Sequence, residues 1–145
     1  MITDPEERFA NAMHFAAHAW KLALDRRLKN HGLSRAGWKT LAVIARAPEP
    51  LSQAAISDMV GVEGATMVST LDRLEKSGLI QRLVSKMDRR VKLVTLTGPG
   101  QQLFNEVQSV ATSARKELLA GISAAELAKA TSLLEEIAAA ANDIK

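Results

Sequence analysis

The 145-residue chain suits one domain, or one small domain that carries additional helices. Hydrophobic residues make up 47% of it, which is enough for a packed core, whereas 3% are aromatic, which weakens any interpretation based on rings that stack on bases or sugars. The sequence has no cysteine, which excludes disulfides, thiolate zinc sites and thiol-based sensing. Its net charge of +3 is compatible with a nucleic-acid partner without requiring one.

The N-terminal residues favour a cytoplasmic protein. Residues 1–7 are acidic and lack the apolar core of a secretion signal. No window of the sequence approaches the apolar length of a membrane span, so we expect no membrane partner.

Two helices are predicted in the first third of the chain. Apolar residues recur at steps of three and four between Phe9 and Leu28, which predicts a helix from about residue 4 or 5 to about residue 30. His31 and Gly32 end it, and Ser34 can cap a second helix that stops at the prolines of positions 48 and 50. The predicted buried stripe of this second helix consists of Trp38, Leu41, Ile44 and Ala45.

The following segment predicts a helix-turn-helix. Ser52 can cap a short helix over Gln53–Val60 in which Ile56 and Met59 face inward, and Gly61 ends it. A longer helix is predicted over residues 63–77. Its outward side is predicted to carry Ala65, Thr66, Ser69, Asp72, Arg73 and Lys76.

A hairpin and two further helices complete the predicted fold. Residues 79–84 and 91–96 are rich in strand-forming types and flank a polar loop. Thr97 can cap the next helix, and Ser123 with Glu126 forms a capping box for the last, whose apolar spacing resembles a coiled coil. We therefore predict a mainly α fold with a small β-hairpin wing. This order is typical of a winged helix-turn-helix, in which the longer helix enters the major groove of DNA.

Basic residues are concentrated between positions 73 and 92. Seven basic residues lie in that stretch, whereas its only acidic residues are Glu75 and Asp88. Such a cluster can contact phosphates and release counterions. A solvated basic surface would have the same composition, and charge alone does not separate the two interpretations. The seven are Arg73, Lys76, Arg82, Lys86, Arg89, Arg90 and Lys92.

Residues 51–100 resemble the core of the MarR family of bacterial regulators. The match comprises residues 71–80 (LDRLEKSGLI), residues 88–90 (DRR), residues 92–97 (KLVTLT) and Gly100. Residues 24–29, 38–41 and 121–127 resemble the SlyA branch of that family. The resemblance implies a repressor or activator rather than an enzyme. It would bind a pseudo-palindromic, A/T-rich operator on double-stranded DNA as a homodimer, without a cofactor.

The resemblance also implies roles for residues of the wing. Asp88 matches an aspartate that pairs with a wing arginine and holds the tip. Arg90 matches the arginine that reaches into the minor groove, where narrow A/T-rich tracts attract guanidinium groups. Arg89 is the adjacent candidate for a backbone contact.

Four more residues are predicted to contact DNA. Thr66, Ser69 and Arg73 lie on the outer side of the recognition helix, and Ser52 lies at a helix N-terminus of the kind that often contacts phosphate. Ser69 departs from the family, because SlyA-type relatives often have arginine there. Serine lacks the fork that selects guanine, so sequence preference is expected to depend more on Arg73, the wing and DNA shape.

The two ends are predicted to form a helical dimerisation region, residues 1–33 and 98–145, around a DNA-binding domain at residues 34–97. Packing within one chain would produce the same apolar periodicity, and the sequence does not distinguish the two. In the family, a crevice between the dimer helices and the winged domain often binds aromatic acids. This makes His18, Lys21 and Trp38 candidates for contact with a small aromatic carboxylate effector, although surface polar residues and a core tryptophan are also consistent.

Other functions are less well supported by the sequence. His14 and His18 are spaced for one metal ion, but no third ligand can be inferred. The pattern contains no catalytic set, because all histidines precede residue 32 and none is placed beside a nucleophile. The alternatives are an effector-insensitive architectural protein with low sequence selectivity, or a winged module that binds another protein.

Overall fold

The computed structural model describes residues 4–144, and over these residues it confirms the predicted fold class. The chain is mainly helical with one small antiparallel sheet. The elements are α1 (Pro5–Leu28), a 3₁₀ turn (Lys29–His31), α2 (Arg35–Arg46), β1 (Leu51–Ser52), α3 (Gln53–Val60), α4 (Gly64–Lys76), β2 (Ile80–Val84), β3 (Lys92–Leu96), α5 (Gly98–Leu118) and α6 (Ala124–Asp143).

The helices begin where short polar side chains satisfy their first backbone N–H groups. Ser34 accepts from Gly37 N and Ser52 accepts from Ala55 N, both at 3.2 Å, which confirms these two predicted caps. The capping box at the start of α6 is also confirmed, since Glu126 N donates to Ser123 Oγ at 3.2 Å and Ser123 N donates back to Glu126 at 3.0 Å. The backbone N–H and the hydroxyl of Ser123 both donate to the Glu126 carboxylate, and these two bonds lower the pKa of Glu126.

The sheet has the strand order β1-β3-β2, and both pairings are antiparallel. Ile80 faces Leu96 and Val84 faces Lys92, so β2 and β3 form the predicted hairpin in full register. The sequence did not indicate β1, whose two residues are too few to show any alternation. By pairing with β3, this strand joins the hairpin to the start of α3.

The hydrophobic core lies among α2, α3, α4 and the sheet. Of the residues predicted to face inward, Leu41, Ile44 and Ile56 are buried. The prediction for Met59 was wrong, because its side chain is 61% exposed and Val60 is buried in its place. A step of four residues from Ile56 reaches the buried side of this short helix, where a step of three does not. The core residues are Leu41, Ile44, Ile56, Val60, Met67, Leu71, Leu74, Leu79, Ile80 and Val94.

The chain divides into two compact units between Ala111 and Thr112. This division reflects packing within one chain, whereas the predicted boundaries at 33/34 and 97/98 concern contacts with a second chain and stay a prediction. Among the described helices, none combines the length and apolar character required to cross a membrane.

Gly100 lies directly against the backbone of Leu79. A Cβ added there would lie 1.9 Å from the carbonyl oxygen of Leu79, well inside van der Waals contact. The neighbouring Thr97 fixes the same junction, because its N–H donates to Leu79 O at 3.1 Å and its hydroxyl accepts from Gly100 N at 3.2 Å. The start of α5 is therefore held directly against the turn that follows α4.

We expect Gly100→Ala to destabilise the protein by about 1–3 kcal/mol or more, because backbone atoms on both sides must move apart. Gly98→Ala is the matched control, since a Cβ there meets nothing within 4 Å in the same first turn of α5. Urea denaturation of both variants at one protein concentration measures the difference. Equal midpoints would contradict this close approach.

Candidate nucleic-acid interface

Helix α4 presents one face to the core and the opposite face to solvent. Met67, Thr70, Leu71 and Leu74 are buried, and this fixes the rotation of the helix about its axis. All six residues predicted for the outward side are exposed. These residues are Ala65, Thr66, Ser69, Asp72, Arg73 and Lys76.

A tight turn joins α3 to α4. Gly61 has φ 76°, a left-handed conformation that glycine adopts readily, and its N–H donates to Ser57 O at 2.9 Å. The Ser57 hydroxyl donates to Val62 O at 3.0 Å and closes the turn on its other side. Ser52, predicted to contact phosphate, is half-buried, and its hydroxyl caps α3.

The loop of the wing, residues 85–91, is held by bonds across its base. Ser85 N donates to Val91 O at 2.8 Å, and Val91 N donates to Asp88 O at 3.0 Å. Ser85 is buried, and its hydroxyl accepts from Met87 N at 3.2 Å. The loop is therefore a defined turn that leaves Arg89 and Arg90 exposed.

Asp88 and Arg90 form a paired group at the tip of the wing. The Arg90 Nε and Nη2 atoms donate to the two Asp88 carboxylate oxygens at 3.1 Å each, and the Arg90 backbone N–H donates to Asp88 Oδ1 at 3.0 Å. The Arg90 side-chain bonds, followed by its backbone bond, lower the pKa of Asp88. Although held in this way, the Arg90 side chain remains 91% exposed.

Arg82 behaves differently from the other basic residues of this region. Its side chain is 17% exposed and forms ion pairs with Asp72 and Glu75 of α4, the latter at 3.2 Å from Nε to Oε2. By composition Arg82 belongs to the predicted phosphate-facing cluster, and the sequence does not predict these pairs. The spacing of Asp72 and Glu75, three residues apart on one helix face, was the only available signal.

The structure gives the positions of the three residues predicted for an effector site within one chain. Trp38 is half-buried, packs edge-on against His31, and lines a cleft of about 150 Å³ with Asp25, Leu28, Lys29, Leu33 and Arg35. His18 and Lys21 are exposed on α1 and lie outside the lining of this cleft. Within residues 4–144, no cluster of three acidic or histidine side chains could hold a metal ion.

The lowered pKa of Asp88 predicts a pH dependence for the wing tip. Because the folded-state pKa lies below its ordinary value, the stabilisation is present above the ordinary aspartate pKa and is lost as the pH falls through the lowered one. NMR titration of the Asp88 carboxyl carbon should therefore give a depressed midpoint that rises in Arg90→Ala. Arg89→Ala removes the adjacent charge and is the control. An equal response to both substitutions would contradict the specific pair.

Comparisons with known proteins agree with this architecture. The MarR family model matches residues 31–91. The transcriptional regulator PA3341 is 36% identical, with 94% of this chain and 99% of that chain covered, at a TM-score of 0.80. Two further structures share the fold. One is the MepR–DNA complex of S. aureus (22% identical, 91% and 97% covered, TM-score 0.79), and the other is a MarR-family regulator from Rhodococcus sp. RHA1 (20% identical, 94% and 96% covered, TM-score 0.78).

Members of this family are transcriptional regulators and not enzymes. The chain therefore belongs to the MarR family and is a DNA-binding transcriptional regulator of that type.

Proposed function

We propose that the protein is a homodimeric repressor or activator that binds a pseudo-palindromic, A/T-rich operator. In this proposal α4 enters the major groove and Arg90 enters the adjacent minor groove. The observation that carries it is the wing tip, where a guanidinium group is oriented by Asp88 and is still 91% exposed. Such a group loses little conformational freedom on binding, and a narrow minor groove attracts it electrostatically.

Base recognition by α4 is proposed to be modest. Thr66 and Ser69 are exposed and offer hydroxyl groups, which bond to several bases with little discrimination. Arg73 is the one arginine of α4, so it is our candidate for a bidentate contact. Arg89 and the N-terminus of α3 at Ser52 are proposed to contact the sugar-phosphate backbone, which sets register without reading sequence.

The homodimer is proposed from the exposed apolar side chains of the first and last helices. Neither α1 nor α6 buries a single residue in one chain, although α1 has 24 residues and α6 has 20. Exposed apolar surface of this extent marks an interface, and a second copy with the same helices would cover it. The exposed side chains are Phe9, Phe15 and Leu22 on α1, and Leu127, Leu133 and Leu134 on α6.

Release by a small aromatic carboxylate stays a prediction. Its support is the cleft beside Trp38, where Lys29 supplies a cation, Arg35 is paired with Asp25, and the indole supplies an apolar wall. Such a ligand would release DNA only if it binds better to a dimer geometry that does not fit the operator. Membership of the SlyA branch and a cytoplasmic location likewise stay predictions.

Recovery of bound fragments from genomic DNA with the purified protein tests the operator. We expect a shared two-fold motif with half-sites about one helical turn apart. Arg90→Ala should then cost about 1–3 kcal/mol of operator affinity. Lys129→Ala removes the same charge from α6 and is the control.

Two outcomes would contradict this proposal. A ratio of operator to random-DNA affinity near one across a range of salt concentrations would favour the architectural protein. Unchanged affinity in Arg90→Ala would exclude the minor-groove role of the wing.

For the dimer, sedimentation equilibrium should give twice the mass of one chain. Leu134→Asp should raise the dimer dissociation constant by about tenfold or more, since burial of a leucine contributes about 1.5–3 kcal/mol and the interface contains it twice. Ser132→Asp, on the opposite side of α6, is the control and should leave the constant close to that of the unmodified protein. A monomeric unmodified protein at micromolar concentration would overturn the proposed dimer.

A further inference from the structure

Arg82 links the wing to the recognition helix α4 through ion pairs. It lies on β2, and its guanidinium group meets two carboxylates of α4 at once. Nη2 donates to Asp72, while Nε and Nη2 donate to Glu75 at 3.2 and 3.5 Å. The bond to Asp72 is the largest cause of a raised pKa for Arg82, so this side chain keeps its charge at every relevant pH. The planar fork of arginine can serve two carboxylates together, which the single ammonium group of lysine does less well.

The two carboxylates occupy unfavourable positions for a helix that approaches DNA. Asp72 follows Ser69 by three residues and precedes Lys76 by four, so it belongs to the outward side of α4. The Asp72 side chain is 59% exposed and that of Glu75 is 44% exposed. Unneutralised negative charge on this side would oppose the phosphates on either side of the major groove.

We propose that Arg82 neutralises the charge of Asp72 and Glu75 on the outward side of α4, without touching DNA itself. The inference rests on the proposed entry of α4 into the major groove. It reassigns one of the seven basic residues from phosphate contact to internal charge balance. Its low exposure supports this assignment, since a phosphate-contacting side chain must be able to reach outward.

The test compares three variants with the unmodified protein: Arg82→Gln, the pair Asp72→Asn and Glu75→Gln, and the three substitutions together. The probe is a random-sequence duplex of about two helical turns, because charge repulsion acts on any DNA. Fluorescence anisotropy gives the dissociation constant at several salt concentrations, and circular dichroism checks that each variant is folded.

We expect Arg82→Gln to weaken binding by about tenfold or more at low salt, because two carboxylates then face the phosphates without a counter-charge. In the triple variant the carboxylates are neutral, so affinity should return to within about threefold of the unmodified protein. Its slope of log K against log salt should also be unchanged, since no phosphate contact has been removed.

A triple variant as weak as Arg82→Gln, with a slope shallower by about one, would show that Arg82 contacts a phosphate directly and would overturn the proposal. A loss in the Asp72→Asn, Glu75→Gln pair as large as that of Arg82→Gln would also overturn it, because the carboxylates would then be needed for binding. Unchanged affinity in Arg82→Gln would do the same.

Arg90→Ala, measured on the same probe, separates this inference from the proposed binding mode. If Arg90→Ala alone is without effect, the minor-groove contact fails while rescue in the triple variant still upholds charge balance on α4. If Arg90→Ala weakens binding and the triple variant is not rescued, the inference fails while the binding mode stands.

Discussion

The side chains of Met67, Leu71 and Leu74 anchor α4 in the core, and the geometry of the whole candidate interface depends on that packing. These three are almost fully buried, so α4 cannot rotate about its axis without opening cavities that cost several kcal/mol each. Their burial decides which residues face outward. It also sets where β2 begins, because the chain leaves α4 through Gly78, at φ 75°, and enters the sheet at the buried Ile80.

The wing, by contrast, has little apolar packing of its own. Leu83 and Val84 are more than half exposed, and Met87 at its tip is 96% exposed. Its conformation is set by the β2–β3 pairing, by the bonds of Ser85, by the Asp88–Arg90 pair and by the ion pairs of Arg82. The ion pairs among these interactions weaken as salt rises, whereas the packing of α4 does not. The two parts of the interface therefore respond differently to the same change of conditions.

The sequence was sufficient for every feature that depends on local chemistry. One side chain or one helical period is enough to predict the caps at Ser34 and Ser52, the capping box at Ser123 and the outward side of α4.

Three features required tertiary information. The strand β1 is too short for a pattern, and Met59 and Val60 are both allowed by helical spacing until α3 packs on its neighbours. Arg82 meets carboxylates seven and ten residues earlier on another element, which linear spacing cannot indicate.

Charge is divided unequally between helix and wing. Helix α4 carries two acidic residues, Asp72 and Glu75, and two basic ones, Arg73 and Lys76, so its formal charge is zero. The loop of the wing carries Lys86, Arg89 and Arg90 against Asp88 alone. In the proposed binding mode, attraction toward phosphates therefore comes mainly from the wing, and α4, whose own formal charge is zero, approaches the bases with its carboxylates paired with Arg82. A serine at position 69 is consistent with this division, because an arginine there would add a second guanidinium fork beside that of Arg73 and would give α4 a net positive charge.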